Sequence, residues 1–237
     1  MLQAEIFKLK KSRILFILFL ILVFMSLALS YWFKSYTGIE MLKFVYEIQL
    51  MFPLIIFMGI IGAYYITNEY QTGGFKRYIS YGHRRSIIIL TKSFVFSVLI
   101  IIMSSIMPLL TVLTNTYLNG FGDVSFLSVI RIILLSEFIY IGLTAMAVLI
   151  CLILKNPIIT MGLFYAIYNV YVFFQVIASK IDFVKKIYDY TIFGQVQLAL
   201  LTEISMNDTI QIIIVTLLTA TFSIGLSIFV FRRMSVM

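Results

Sequence analysis

The sequence predicts an all-α polytopic membrane protein with six transmembrane helices, for three reasons. Hydrophobic residues make up 62% of the 237 residues and charged residues only 12%, whereas soluble domains average about 45–50% and 25%. The apolar residues occur in runs long enough to cross a bilayer. These runs are apolar on every face, which argues against membrane-spanning strands. This composition excludes a soluble enzyme, a nucleic-acid-binding domain and a disordered regulator.

Six apolar runs can each cross about 30 Å of hydrocarbon at 1.5 Å per residue. The predicted spans are Ile14–Phe33, Phe44–Ile66, Ser93–Leu113, Ile132–Leu154, Ile158–Ser179 and Ile210–Phe231. The third helix is expected to begin earlier, near Ile87, with Lys92 close to one end. We predict no internal repeat and no broken pair of helices. The remaining residues suffice only for loops, so residues 1–237 are predicted to form a single transmembrane domain.

The distribution of basic residues predicts that both termini are cytoplasmic. With the N-terminus inside, 12 of the 18 Lys and Arg residues fall on the inner side. They are Lys8, Lys10, Lys11, Arg13, Lys76, Arg77, Arg84, Arg85, Lys92, Lys155, Arg232 and Arg233. Basic residues collect on the cytoplasmic side of membranes. An even number of spans also returns the chain to its starting side, so the two arguments agree.

Two segments outside the spans are predicted to form short helices. In residues 1–13, Leu2, Ile6 and Leu9 share one helical stripe with basic residues elsewhere, which indicates an amphipathic helix on the inner membrane surface. Residues 180–209 form a long outer segment before the last span. Its apolar part is too short and too polar for a seventh span, so we expect re-entrant or interfacial helices there.

The sequence lacks the motifs of common catalytic and metal sites. His83 is the sole histidine and Cys151 the sole cysteine, which excludes a His-cluster or multi-Cys metal site. Neither a nucleophile elbow nor a phosphate-binding loop is present. We therefore expect no enzymatic activity, cofactor or metal in this chain. Cys151 lies in an apolar run and is predicted to be a small buried hydrophobic residue.

Two carboxylates in the predicted spans are candidate functional residues. Glu47 lies about one turn inside the outer end of the second span, and Glu137 one or two turns inside that of the fourth. Charges in lipid are costly and therefore mark functional or paired groups. Arg131 at the same boundary could pair with Glu47 across two helices. Paired structural charges, a role in gating or substrate contact, and proton-coupled transport all remain open for these carboxylates.

The fifth predicted span carries an unusual number of polar groups. Tyr165, Tyr168 and Gln175 lie at spacings of three and seven, close to one helical face. Such groups require partners in lipid. They could bond to neighbouring helices, or line a translocation route for an amphipathic substrate.

The loop between the second and third spans contains an ordered pattern of charged residues and glycines. Residues 67–92 read TNEYQTGGFKRYISYGHRRSIIILTK. The pattern consists of Glu69, Gly73, Lys76, Ser80, Gly82, Arg85 and Lys92. It resembles the cytoplasmic loop of ABC-2-type transporter permeases, with two departures. Gly74 and Arg84 stand where those permeases commonly have Ser or Thr.

The resemblance implies a coupling helix within residues 67–85, a permease function and specific partners. Glu69, Gly73, Lys76, Arg77, Gly82 and Arg85 would form the surface that docks on a cytoplasmic ABC ATPase. The two ATPase copies would hold ATP and Mg²⁺. A second permease chain, identical or related, would complete the transporter in a bacterial cell membrane.

The resemblance extends to small permeases of peptide export and immunity systems, which handle lantibiotics, bacitracin-like peptides or phenol-soluble modulins. It implies export of an amphipathic or antimicrobial-type peptide. Two alternatives stay open from the residues alone. One is a secondary transporter driven by an ion gradient through Glu47 or Glu137. The other is a membrane enzyme or a passive immunity protein.

Overall fold

The computed structural model describes residues 2–51, 53–201 and 204–234. Within these residues the chain forms α-helices and no β-strand, which confirms the all-α prediction. Met1 of the predicted amphipathic helix and residues 202–203 of the outer segment lie outside the described residues.

Twelve α-helices make up the described part of the chain. In order they are α1 (Leu2–Lys10), α2 (Arg13–Trp32), α3 (Gly38–Met51), α4 (Pro53–Gly62), α5 (Asn68–Gln71), α6 (Gly74–Ser80), α7 (Arg85–Asn119), α8 (Phe126–Leu154), α9 (Pro157–Ala178), α10 (Asp182–Asp189), α11 (Ile192–Ala199) and α12 (Met206–Arg233). Five of these, α2, α7, α8, α9 and α12, are each long and apolar enough to cross a membrane. A bent pair of helices brings the number of spans to six when the pair is counted as one span.

The second span is broken, contrary to the predicted continuous helix over Phe44–Ile66. Its two parts, Gly38–Gln49 and Pro53–Gln71, meet at an angle of 49°. Pro53 begins α4, and a proline ring displaces the carbonyl four residues earlier and removes one N–H donor. The lower part continues through a π-helical turn, Ala63–Thr67. The prediction of no broken helices was therefore wrong at this span.

The N-terminal helix is shorter than predicted, and the third span is longer. α1 ends at Lys10, and Arg13 already belongs to α2, whose N-terminus is capped by the Ser12 hydroxyl. The third span begins at Arg85 rather than near Ile87 and runs for 35 residues. At 1.5 Å per residue this helix is about 52 Å long, so it extends well beyond the hydrocarbon layer.

The predicted outer segment forms two short helices, α10 and α11, of eight residues each. Both are too short to cross a membrane. α11 packs against α8 and α12. A Cβ at Gly142 would lie 2.6 Å from Cδ1 of Ile192, so glycine permits this close approach.

Helix α1 and the last turn of α12 lie at the same end of the bundle, which we call the terminal end. α1 contacts the first turns of α7. The last turn of α12 contacts Arg85 at the start of α7. The core between the helices is apolar, and Cys151 is buried in it as predicted.

Candidate functional site

The segment that resembles a coupling loop forms two short helices rather than one. Gly73 precedes α6 with φ +70° and Gly82 follows it with φ +81°, backbone values that favour glycine. The N–H of His83 donates to the carbonyl oxygen of Tyr78 at 3.2 Å, the bond expected when a left-handed residue ends a helix. The two glycines therefore set the start and the end of α6.

Helix α6 has one exposed basic face and one buried face. Lys76 and Arg77 are exposed, whereas the ring of Phe75 is fully buried and Tyr78 is half-buried. A partner that approaches the terminal end can therefore reach the two cations, while the opposite face of α6 packs against the bundle.

A buried ion network lies beneath α6 and joins three elements, α1, α5 and α7. Nζ of Lys92 lies 3.0 Å from Oε1 of Glu5 and 2.7 Å from Oε2 of Glu69. Lys8 forms a second ion pair with Glu69. The side chains of Lys92, Glu5 and Glu69 are 1%, 0% and 5% exposed. Two cations balance two anions, as burial of charge requires.

Aromatic rings complete the surroundings of the Lys92 ammonium. Its Nζ lies 4.4 Å from the ring centroid of Tyr65, 5.5 Å from that of Phe75 and 5.6 Å from that of Tyr78. Cation–π attraction is strongest for such desolvated cations. Lys92 thus links α7 to α1, to the end of the second span and to α6.

Electrostatics keep Glu5 ionised despite its burial. Burial raises the pKa of the Glu5 carboxyl, but the Lys92 ammonium and the Tyr78 hydroxyl together bring this pKa below its ordinary value. In turn, burial and the hydrogen bond to Glu5 raise the pKa of Tyr78. At neutral pH the folded protein therefore contains Glu5 as a carboxylate and Tyr78 as a protonated hydroxyl.

A second set of contacts joins α6 and the start of α7 to the last span. The ring centroids of Phe75 and Phe231 are 5.0 Å apart. Nη1 of Arg85 donates to three carbonyl oxygens at the end of α12. They belong to Phe231 (3.2 Å), Arg232 (2.8 Å) and Met234 (2.8 Å). A cation at a helix C-terminus satisfies carbonyls that lack intrahelical partners.

The structure assigns different positions to the predicted docking residues. Lys76 and Arg77 are exposed on α6. Glu69 is not, because its carboxylate is buried against Lys8 and Lys92, so it does not offer a negative charge to a partner as expected. Arg85 is half-buried and holds the end of α12.

The departure at Gly74 has a steric explanation. A Cβ at this position would lie 3.1 Å from Cβ and Cγ of Glu69, closer than ordinary van der Waals contact. A serine or threonine would therefore press on the carboxylate side chain that the ion network holds.

Glu137 lies within the bundle among hydroxyl groups, away from α6. Its carboxylate accepts hydrogen bonds from Ser104 (2.7 Å), Ser105 (3.1 Å) and Tyr46 (3.2 Å). The salt bridges among the described residues do not include Glu137. The amide of Gln49 donates to the carbonyl oxygen of Ser104 at 2.7 Å, so this polar cluster joins the second, third and fourth spans.

The predicted pair between Glu47 and Arg131 is not among the ion pairs of the described residues. The side chain of Glu47 is exposed. The guanidinium of Arg131 instead donates to the carbonyl oxygen of Leu201 at 3.0 Å. The bend of the second span, which the sequence did not predict, lies immediately beyond Glu47.

The predicted polar face of the fifth span is not assembled around a central cavity. Tyr165 is 59% exposed, and its ring centroid lies 6.2 Å from that of Tyr168. Gln175 lines a polar pocket beside α10. The donors to the Glu137 carboxylate given above come from α3 and α7 rather than from α9. α9 has the smallest buried share of the five candidate spans.

Sequence reasoning missed the role of Glu5 and Lys8, and gave Lys92 no partner. A signal was present, because Glu5 is the one acidic residue of a basic amphipathic segment and Lys92 lies in an apolar helix. Such isolated charges in apolar surroundings indicate ion pairs. Only the fold brings residues 5, 69 and 92 together.

Comparison with known proteins supports the resemblance. The family model of ABC-2 family transporter proteins matches residues 1–171, a region that contains α1, the ion network and α6. No curated protein matches the chain significantly. The match covers well over half of the chain, so this chain belongs to the ABC-2 transporter family, as a transmembrane permease.

Proposed function

We propose that the chain is the membrane-spanning subunit of an ABC exporter whose ATPase is a separate cytoplasmic protein. The observation that carries this proposal is the two-faced helix α6. Its exposed face presents Lys76 and Arg77, and its buried face contacts Phe231 and the Lys92 ammonium. A partner that binds ATP and Mg²⁺ would press on the exposed face of α6. The helices that contact the buried face of α6 would then move.

Movement of α6 has two direct routes into the bundle. The first passes through Glu69 and Lys92 to α1 and α7. The second passes through Phe75 and Arg85 to α12. Packed interfaces shift between discrete arrangements rather than deforming continuously. Closure of two ATPases would therefore move α1, α7 and α12 together.

Reversal of the exposed charges on α6 should release the ATPase. In Lys76→Glu with Arg77→Glu, we expect the amount of a Walker-motif ATPase that copurifies in mild detergent to fall at least tenfold. Like-charge contacts at an interface cost several kcal/mol. Neither side chain contributes to the buried face of α6, so the permease should keep its wild-type yield and thermal stability.

The matched control reverses two exposed lysines at the other end of the bundle, Lys185→Glu with Lys186→Glu. This control should retain the ATPase. Absence of any ATPase from wild-type preparations in several detergents would contradict the proposal, as would equal retention by both double variants.

The same transporter would contain two permease chains that meet through α9. Polar groups on this helix face outward, since Asn169 is exposed and its side-chain amide donates to the carbonyl oxygen of Tyr165 within the same helix. Exposed amides in lipid favour helix–helix contact. The proposed interface would shield Asn169 and Tyr165.

Cysteine cross-linking tests the proposed interface. Gly162 on α9 and Gly225 on α12 both lack any neighbouring atom within 4 Å of an added Cβ. Gly162→Cys should form a disulfide-linked dimer in oxidised membranes, and Gly225→Cys should not. The native Cys151 is buried, which gives a low background. Equal cross-linking at both positions would contradict an interface through α9.

The proposed substrate is an amphipathic or antimicrobial-type peptide that leaves the cell or the membrane. Two features of the chain suit it. The chain contains 12 methionines, which adapt to irregular apolar surfaces, and 16% aromatic residues, which supply large apolar contact area. Tyr165 and Tyr168 add hydroxyl groups to an apolar helix surface. Energised uptake of such a peptide into inside-out vesicles measures this activity.

A carrier driven by an ion gradient is a second candidate, and two observations favour it. The second span is broken at 49°, and Glu137 lies inside the bundle with hydroxyl partners. Broken helices and intramembrane carboxylates both occur in secondary transporters. For this candidate, an ionophore should abolish transport at constant ATP.

Glu137→Gln separates the two candidates. The amide keeps one acceptor oxygen for the hydroxyl groups but cannot exchange a proton. We expect ATP-dependent peptide transport to change less than about threefold, because the polar cluster persists. The matched structural control is Ser105→Ala. A loss greater than about a hundredfold in Glu137→Gln alone would favour the proton-coupled carrier.

A further inference from the structure

A lipid-facing groove of about 470 Å³ lies between α1, α2 and α7. Its floor is made by Leu15, Val95 and Leu99, which are at most 8% exposed. Its walls carry exposed apolar side chains such as Ile6 and Phe16. Pockets of roughly this size hold small ligands in proteins.

The rim of this groove is basic. Lys10 lines the groove itself, and Lys11 and Arg13 follow it in the chain. All three are exposed, and the salt bridges between described residues include none of them. In contrast, Lys8 on the same helix pairs with Glu69. Nζ of Lys11 lies 4.6 Å from the ring centroid of Phe7, a contact that leaves its charge unneutralised. The positive charge at this mouth therefore remains available to an anion.

We propose that this groove binds an anionic phospholipid, with one acyl chain between α1, α2 and α7 and the phosphate at Lys10 and Arg13. An amphipathic helix lies at the depth of the lipid head groups, which places the three cations beside phosphates and the apolar floor beside acyl chains. Basic residues at this depth select anionic lipids. The lipid bridges α1 to α2 and α7, and so supports the helix that supplies Glu5 to the ion network.

Native mass spectrometry of the full-length protein tests this site with phosphatidylglycerol and phosphatidylcholine that carry the same acyl chains. The wild type should retain one phosphatidylglycerol at least tenfold more strongly than phosphatidylcholine. Lys10→Gln with Arg13→Gln should lose this preference, because each cation contributes on the order of fivefold. The same preference should appear as a thermal stabilisation by phosphatidylglycerol.

A second variant fills the groove and leaves its charges intact. Val98→Trp places an indole in the groove, and Leu109→Trp places one on the same helix outside it. We expect Val98→Trp alone to lose the retained lipid. Equal retention of the two lipids by the wild type would overturn the proposal, as would full retention by Val98→Trp. Retention of an added amphipathic peptide in place of phosphatidylglycerol would also overturn it and assign the groove to the substrate.

Discussion

Lys92→Met should destabilise the folded protein by about 3–5 kcal/mol, the largest effect that we expect from a single substitution. The variant leaves the carboxylates of Glu5 and Glu69 buried without their shared cation. Removal of one partner from a buried ion pair exposes the other to the full cost of desolvation. Only Lys8 would remain, and it faces Glu69 alone. Thermal unfolding in detergent, with limited proteolysis near α6, measures the loss.

A neutralised network provides the matched control. In Lys92→Met with Glu5→Gln and Glu69→Gln, no carboxylate stays buried without a cation, and we expect most of the stability to return. Replacement of a complete buried ion network by neutral groups is often close to neutral in stability. If Lys92→Met alone were as stable as the wild type, the network would not hold the terminal end together.

The pH dependence of the stability of the folded protein should reverse between wild type and Lys92→Met. In the wild type the pKa of Glu5 is lowered on folding, so its stabilising contribution is present at neutral pH. That contribution is lost as the pH falls through the folded pKa. In the variant, burial without Lys92 should raise the pKa of Glu5. The destabilisation should then be smallest in acid, where this carboxyl is protonated.

Arg85→Met should destabilise the contact between the start of α7 and the last span by about 2–3 kcal/mol. Its guanidinium supplies one donor nitrogen to three carbonyl oxygens at the end of α12. Charge-assisted hydrogen bonds contribute about 1.5–3 kcal/mol. We expect faster hydrogen exchange confined to the last turn of α12 and to α6, together with loss of coupled ATP hydrolysis.

The neighbouring arginine is the control for this change. Arg84 is exposed and precedes α7, so Arg84→Met removes the same charge from the loop without removing these bonds. It should leave hydrogen exchange in α12 unchanged. An equal effect of both substitutions would show that charge in the loop, rather than the contact with α12, governs the result.

The six apolar runs could be read from the sequence because lipid imposes length and composition on each helix. The break at Pro53 was not predicted, since a proline inside an apolar run ends one helix or begins another only according to its neighbours. By contrast, the turns that bound α6 lie at two glycines, Gly73 and Gly82. Their left-handed backbone follows from the local sequence alone.

The burial of Glu69 could not be predicted from its position in the loop. A charged residue between lysines and arginines is usually solvated, so the pattern favoured an exposed docking charge. Its actual environment depends on Lys8 and Lys92, which lie 61 and 23 residues away in the chain. The exposed positions of Lys76 and Arg77 were easier to predict, because they are adjacent cations that follow the buried Phe75.

Because α7 is long, one continuous helix carries residues of both the ion network and the Glu137 cluster. Lys92 and Ser104 lie 12 residues apart on this helix, a distance of about 18 Å. A tilt of about 5° at the Lys92 end would displace Ser104 by roughly 1.5 Å. That displacement would break the 2.7 Å hydrogen bond from Ser104 to Glu137. The polar environment of the Glu137 carboxylate would then change each time the terminal end moves, although no residue of one cluster touches the other.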